Sequence, residues 1–136
     1  VIMCGHGTPN GLLSVGQFKI EGTFGYVIDR SFVSLLKEKK ENIFIWCHSN
    51  RFVERYNLKG FYSGMFISEV GESEYCGIPT TQKLVTESNY KFSQIVSRYV
   101  ENGLDNLFEN VKREYGKLID TNKVAEYNHR RLYLNV

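Results

Sequence analysis

Two residues in this chain have the side chains and the setting for nucleophilic chemistry. His6 closes the apolar run Val1-Ile-Met-Cys-Gly-His6-Gly7, and Cys47 closes a second, Asn42-Ile-Phe-Ile-Trp-Cys47-His48-Ser49. A cysteine thiol with its usual pKa of about 8.5 is mostly protonated at neutral pH, so a cysteine nucleophile needs a base or imidazolium beside it. His6 can fill that role, and Gly7 after it lets a substrate carbonyl approach the backbone, with the Gly7 N–H available to an oxyanion. His48, adjacent in sequence to Cys47, points to the opposite side of an extended backbone and is a local polar contact rather than the partner. A metal site built from Cys4, His6, Cys47 and His48 lacks the ligand spacing of structural zinc sites, and neither metal nor cofactor is expected. The glycines form no phosphate-binding loop.

The elements that must position these residues follow from hydrophobic pattern. Residues 1–5, 43–47 and 61–67 are short and too uniformly apolar for surface helices, which predicts strands buried in a mostly parallel sheet. Residues 7–11 are dense in turn formers, and residues 12–28 read as a hairpin or loop excursion. Asp29 or Ser31 is placed to cap a helix that turns Phe32, Val33, Leu35 and Leu36 to the core, and residues 50–58 form another short helix. Residues 69–79 have a loop composition. Two amphipathic helices follow at 81–100 and 104–119, separated by Gly103, and residues 131–135 form a last strand. The order of elements predicts a three-layer α/β domain with helices over the sheet.

A chain of 136 residues is expected to form a single α/β domain over 1–136. The net charge of +2, with Lys37, Lys39 and Lys40 interrupted by Glu38 and Glu41, gives no nucleic-acid footprint. Three cysteines, an odd number in a chain with core enough to fold, point to a reducing, cytoplasmic compartment rather than a disulfide framework. No apolar run reaches the length of a membrane span. The chain opens inside a strand, so residues are expected upstream of Val1.

Strand into His-Gly, helix, then strand into Cys-polar-Ser resembles the caspase–hemoglobinase fold cysteine peptidases. The matching segments are Met3-Cys-Gly-His6-Gly7 and Ile45-Trp-Cys47-His48-Ser49, with Gly60–Ser68 in the place of the following strand; the resemblance covers about residues 1–75. It implies a caspase-like sheet whose N-terminal strands precede this sequence, so that the chain is the C-terminal part of a larger domain. It also implies a peptidase acting on a peptide or protein substrate through a His6–Cys47 dyad, with the N–H groups of Gly7 and Cys47 as oxyanion hole. Ser49, Glu69 and Glu72 are then substrate-binding candidates, the glutamates selecting Arg or Lys at P1 through a charge-assisted pair. The alternative is a catalytically silent module that binds a peptide or partner protein in the same groove. Trp46 departs from the small residue usual before the nucleophile in that family.

Overall fold

The computed structural model describes residues 1–14, 19–20 and 23–136, with side chains at 1–14 and 25–136. The chain divides into two compact units, Val1–Met65 with Tyr133–Val136, and Phe66–Leu132.

The first unit begins with β1 (Ile2–Cys4), β2 (Gly7–Thr8) and β3 (Gly11–Leu13), followed by the short pair β4 (Lys19–Ile20) and β5 (Thr23–Phe24) and by β6 (Tyr26–Ile28). Strands β2, β3 and β6 form an antiparallel sheet, with Gly7 opposite Leu12 and Leu12 opposite Ile28. The excursion expected between residues 12 and 28 is thus β-structured at both ends and at the β4–β5 pair between them, and residues 15–18 and 21–22 lie outside the described residues. Asp29 then caps a 3-10 turn by accepting from the Ser31 N–H at 2.9 Å, and α1 (Val33–Glu38) follows. The chain continues through β7 (Ile43–Ile45), α2 (Ser49–Tyr56) and β8 (Gly60–Ser63).

Strands β1, β7 and β8 are parallel neighbours, as the apolar runs predict, and the four-stranded sheet is completed by β9 (Leu132–Asn135) in the order β1-β7-β8-β9. The protein is therefore mixed α/β with a mostly parallel main sheet. Met3, Phe44 and Trp46 project from one face of it into a core with Leu12, Leu36, Phe52, Val53, Leu58 and Tyr62. Asn42 is fully buried just ahead of β7, and its Nδ2 lies 3.1 Å from both the Leu36 and Lys59 carbonyls, tying the end of α1 to the start of β8. At the chain end Asn135 donates to the Leu58 carbonyl at 2.7 Å, and Tyr133 stacks near Tyr62.

Three expectations are corrected here. Strands β7 and β8 end earlier than residues 47 and 67, for a reason that belongs to the site itself. Helix α1 turns Leu36 inward with Val33 partly packed, but leaves Phe32 and Leu35 exposed. Residues 69–79 are not all loop.

The second unit contains that missed helix, α3 (Val70–Tyr75), then α4 (Gln82–Tyr99), α5 (Leu104–Tyr115) and α6 (Lys123–His129). The polar sequence Ser68-Glu-Val-Gly-Glu72 hides α3 because its stabilisation is local: Glu72 accepts from both the Ser68 N–H (3.0 Å) and its hydroxyl (2.9 Å). Thr81 caps α4 through the Leu84 N–H, and Gly103, at φ 85°, separates α4 and its 3-10 extension from α5. The buried stripe of α4 runs Val85, Ser88, Phe92, Ile95, and α5 answers with Leu104, Leu107, Val111 and Tyr115. Helix α6 carries too few apolar residues to announce itself. Asn122 starts it by accepting from the N–H groups of Val124 and Ala125, both at 3.1 Å.

Candidate functional site

The register of β1 on β7 decides where the two reactive residues lie. Cys4 pairs with Ile45, so His6 and Cys47 each stand two residues beyond the last register pair, at the carboxyl ends of adjacent parallel strands. The Gly5 N–H continues the ladder to the Ile45 carbonyl at 3.1 Å. Neighbouring strands run about 4.8 Å apart, so the two segments leave the sheet side by side on one edge. Crevices at such edges are where α/β proteins assemble their sites.

Trp46 joins the two segments. It is fully buried, its ring packs edge-on to Phe44 and Phe52, and its indole N–H donates to the Thr8 carbonyl at 3.0 Å. A Cβ on Gly7 would run into this indole ring and stand 2.8 Å from the Gly11 carbonyl oxygen. The glycine after His6 is therefore required by Trp46, not only by access to the backbone. Because the His6 carbonyl accepts from the Leu13 N–H at 2.9 Å, Gly7 occupies a non-hydrogen-bonded position opposite Leu12, and the ladder leaves the Gly7 N–H pointing away from β3. The adjoining turn is held by Thr8 Oγ1, which accepts from the Asn10 N–H at 3.1 Å and lies 3.0 Å from the Tyr26 hydroxyl. Arg55 of α2 donates to Asn10 Oδ1 at 3.0 Å.

Ser49 is fully buried. Its hydroxyl accepts from the Ser63 N–H at 3.1 Å and lies 2.7 Å from the carbonyls of Phe44 and Ser63. The Phe61 N–H bonds to the Asn42 carbonyl one step earlier, so a regular ladder would next join the Ser63 N–H to the Phe44 carbonyl. The Ser49 hydroxyl stands at that link. Ser63 Oγ in turn donates to the Trp46 carbonyl at 3.0 Å. These bonds stop the β7–β8 ladder and turn the chain into α2, which is why both strands end early. Expected at the substrate, Ser49 is engaged with the backbone of both strands, and Ser63, which nothing in the sequence singles out, joins it in positioning them.

Between Cys47 and α2 the backbone makes a sharp elbow. His48 has φ 65° and ψ 25°, a left-handed conformation uncommon for a residue with a Cβ. The elbow is fixed by the His48 N–H to the Gly64 carbonyl and the Ser49 N–H to the Trp46 carbonyl, each at 3.1 Å. Cys47, partly exposed, thus sits immediately ahead of the N-terminus of α2, where the helix dipole favours an anion. Cys4 is exposed as a residue, yet desolvation of its thiol pushes its pKa up, which leaves less of it as thiolate at neutral pH.

The two glutamates lie in the second unit. Glu69 is exposed at the start of α3, and Glu72, in its first turn, holds Ser68. His129 is packed: Nε2 donates to the Lys112 carbonyl at 2.9 Å, and the Gly116 backbone lies against the ring. Among the described residues no group of three or more His, Cys, Asp or Glu is arranged to hold a metal ion. Among them, too, no helix is long and apolar enough to cross a membrane. Comparison with protein-family models, with curated proteins and with solved structures finds no match to this chain.

Proposed function

We propose that this protein is a caspase-like, cysteine-dependent peptidase. In this reading the Cys47 thiolate attacks a peptide carbonyl carbon and His6 delivers a proton to the leaving amine. The N–H groups of Gly7 and Cys47 receive the oxyanion. Water then hydrolyses the thioester, giving a proton to His6 and its oxygen to the acyl carbon as the C–S bond breaks, which restores the Cys47 thiolate and the His6 imidazolium.

The observation that supports the reading is the parallel register of β1 and β7, in which His6 and Cys47 each follow the Cys4–Ile45 pair by two residues. Two features of the same edge support it. The Gly7 N–H is not consumed by the β2–β3 ladder, and a strained elbow presents Cys47 at a helix N-terminus.

The test is iodoacetamide labelling across pH, together with cleavage of a fluorogenic peptide library. Cys47 should alkylate faster than Cys4 and Cys76, His6→Ala should slow that reaction near neutral pH, and Cys47→Ala should abolish cleavage. Alkylation of Cys47 no faster than of the other two, with cleavage unchanged in Cys47→Ala, would remove the proposal. Saturable peptide binding at this edge without turnover would instead support the silent module.

A further inference from the structure

The second unit contains a cavity of about 580 Å³ that the chemistry above does not use. Its volume lies within the range of about 300–1,000 Å³ typical of ligand sites. One wall is a single stripe of α6 and its C-cap, Lys123, Glu126, Tyr127 and Arg130, at the helical spacing that puts residues on one face. Ile78 and Pro79, from the loop after α3, supply apolar lining, and Arg131 completes the rim.

Three cations and one carboxylate surround this space, so its electrostatic bias is positive. Glu126 divides its two oxygens, one to Lys123 Nζ at 3.1 Å and one to Arg130 at 3.0 Å. Those pairs engage one nitrogen of each cation, whereas an ammonium carries three N–H donors and a guanidinium five. The side chains of Lys123 and Arg130 are 70% and 72% exposed, so their remaining donors face water and can be given to a ligand without rebuilding a buried network. Arg131 is held more firmly. Its guanidinium lies 3.5 Å from the centre of the Tyr127 ring and donates to the Tyr127 carbonyl at 3.0 Å. That stacking fixes a planar, bidentate-capable fork at the edge of the cavity.

We infer that this cavity binds an acidic peptide segment, its carboxylates on Lys123, Arg130 and Arg131 and a neighbouring apolar side chain over Ile78 and Pro79. The aromatic ring argues for a peptide over a nucleotide. Tyr127 packs against the cluster of Ile67, Val85 and Val124 and carries Arg131 over its ring, so it is not a bare platform for a base. The apolar lining also gives a side chain a place that a phosphate alone would not use.

The experiment is fluorescence anisotropy on the full chain with a fluorescein-labelled peptide alternating Glu and Leu. Counterparts carry Gln for Glu, Lys for Glu, or Ser for Leu. Saturable binding is expected for the Glu/Leu peptide alone among these, weakening steeply with added salt. The double variant Lys123→Gln, Arg130→Gln alters only exposed side chains and should bind at least tenfold more weakly with an unchanged melting curve. Arg131→Gln should weaken binding similarly, and Ile78→Ser should lower it without changing the salt dependence. Absence of saturable binding, equal binding of the Gln counterpart, or unchanged affinity in the double variant would overturn the inference. Displacement of the peptide by inorganic phosphate or ATP at lower concentration than by unlabelled peptide would overturn it in favour of a phosphate site. Neither result depends on whether Cys47 is reactive.

Discussion

Gly7 and Ser49 show how much of the candidate site is determined atom by atom. Replacing Gly7 with Ala forces a methyl group into the indole of Trp46 and toward the Gly11 carbonyl. Overpacking of a filled core costs about 1–3 kcal/mol, and the strain falls on the segment that carries His6. Gly7→Ala should therefore lower stability in urea denaturation by about that amount and slow alkylation of Cys47; an unchanged midpoint would show that the indole gives way freely. Ser49→Ala removes a hydroxyl that accepts from one buried N–H and gives its single proton to one of the two carbonyls within reach. Leaving such groups unpaired costs about 1–3 kcal/mol. The expected result is a lower denaturation midpoint. A change confined to peptide affinity, with stability intact, would return Ser49 to the substrate.

At the scale of elements, the second unit depends on helix ends pinned by side chains. Asn128 in α6 accepts from the Ile67 N–H at 2.7 Å and donates to the Ile67 carbonyl at 2.8 Å, fully buried. Asn128→Asp keeps the shape but puts an acceptor, and in its ionised form a charge, against that carbonyl; thermal melting should show a clear loss of stability that deepens as pH rises through the carboxylate range. The last turn of α6 titrates in the other direction. Burial lowers the His129 pKa from its usual 6.5, helped by the Lys112 and Arg130 charges and opposed by the bond to the Lys112 carbonyl. The folded chain thus favours the neutral ring. Below about pH 6.5 the unfolded chain takes up a proton that the folded one resists, so this contribution makes stability fall with pH in that window. Comparing denaturation midpoints between pH 7.5 and 5.5 in the parent and in His129→Gln checks the sign, since the variant should show the shallower dependence.

For the molecule as a whole, the chain leaves the first unit after Met65 and returns to it at Tyr133. The returning strand is fastened by the Asn135 bond to Leu58 and by the Tyr133–Tyr62 contact. Deleting residues 133–136 removes a neighbour of β8 from the main sheet. A loss of about 1–2 kcal/mol in a domain of this size corresponds to roughly 4–8 °C in Tm. Calorimetry should show that drop, and amide exchange should rise in residues 60–63. An unchanged Tm would mean that the three parallel strands hold without β9.

The sequence by itself determined the periodic elements: the apolar strands at β1 and β7, the stripes of α4 and α5, and the break at Gly103. In each, burial on one face or both leaves a pattern that a reader of residues can see. It also pointed to His6 and Cys47 as the residues ending two such strands. Only the tertiary structure decided that those strands are parallel neighbours in a register that puts each residue two positions past the Cys4–Ile45 pair, because pairing joins segments some 40 residues apart and leaves no local trace. Trp46 looked out of place as a neighbour of a nucleophile until its indole was found against Gly7 and bonded to Thr8. Ser49, expected at the substrate, has its hydroxyl between two strands, which nothing local in the sequence announces. Helices α3 and α6 were hidden for a related reason: both are short and polar, and the side chains of Glu72 and Asn122 stabilise their ends in place of an apolar stripe.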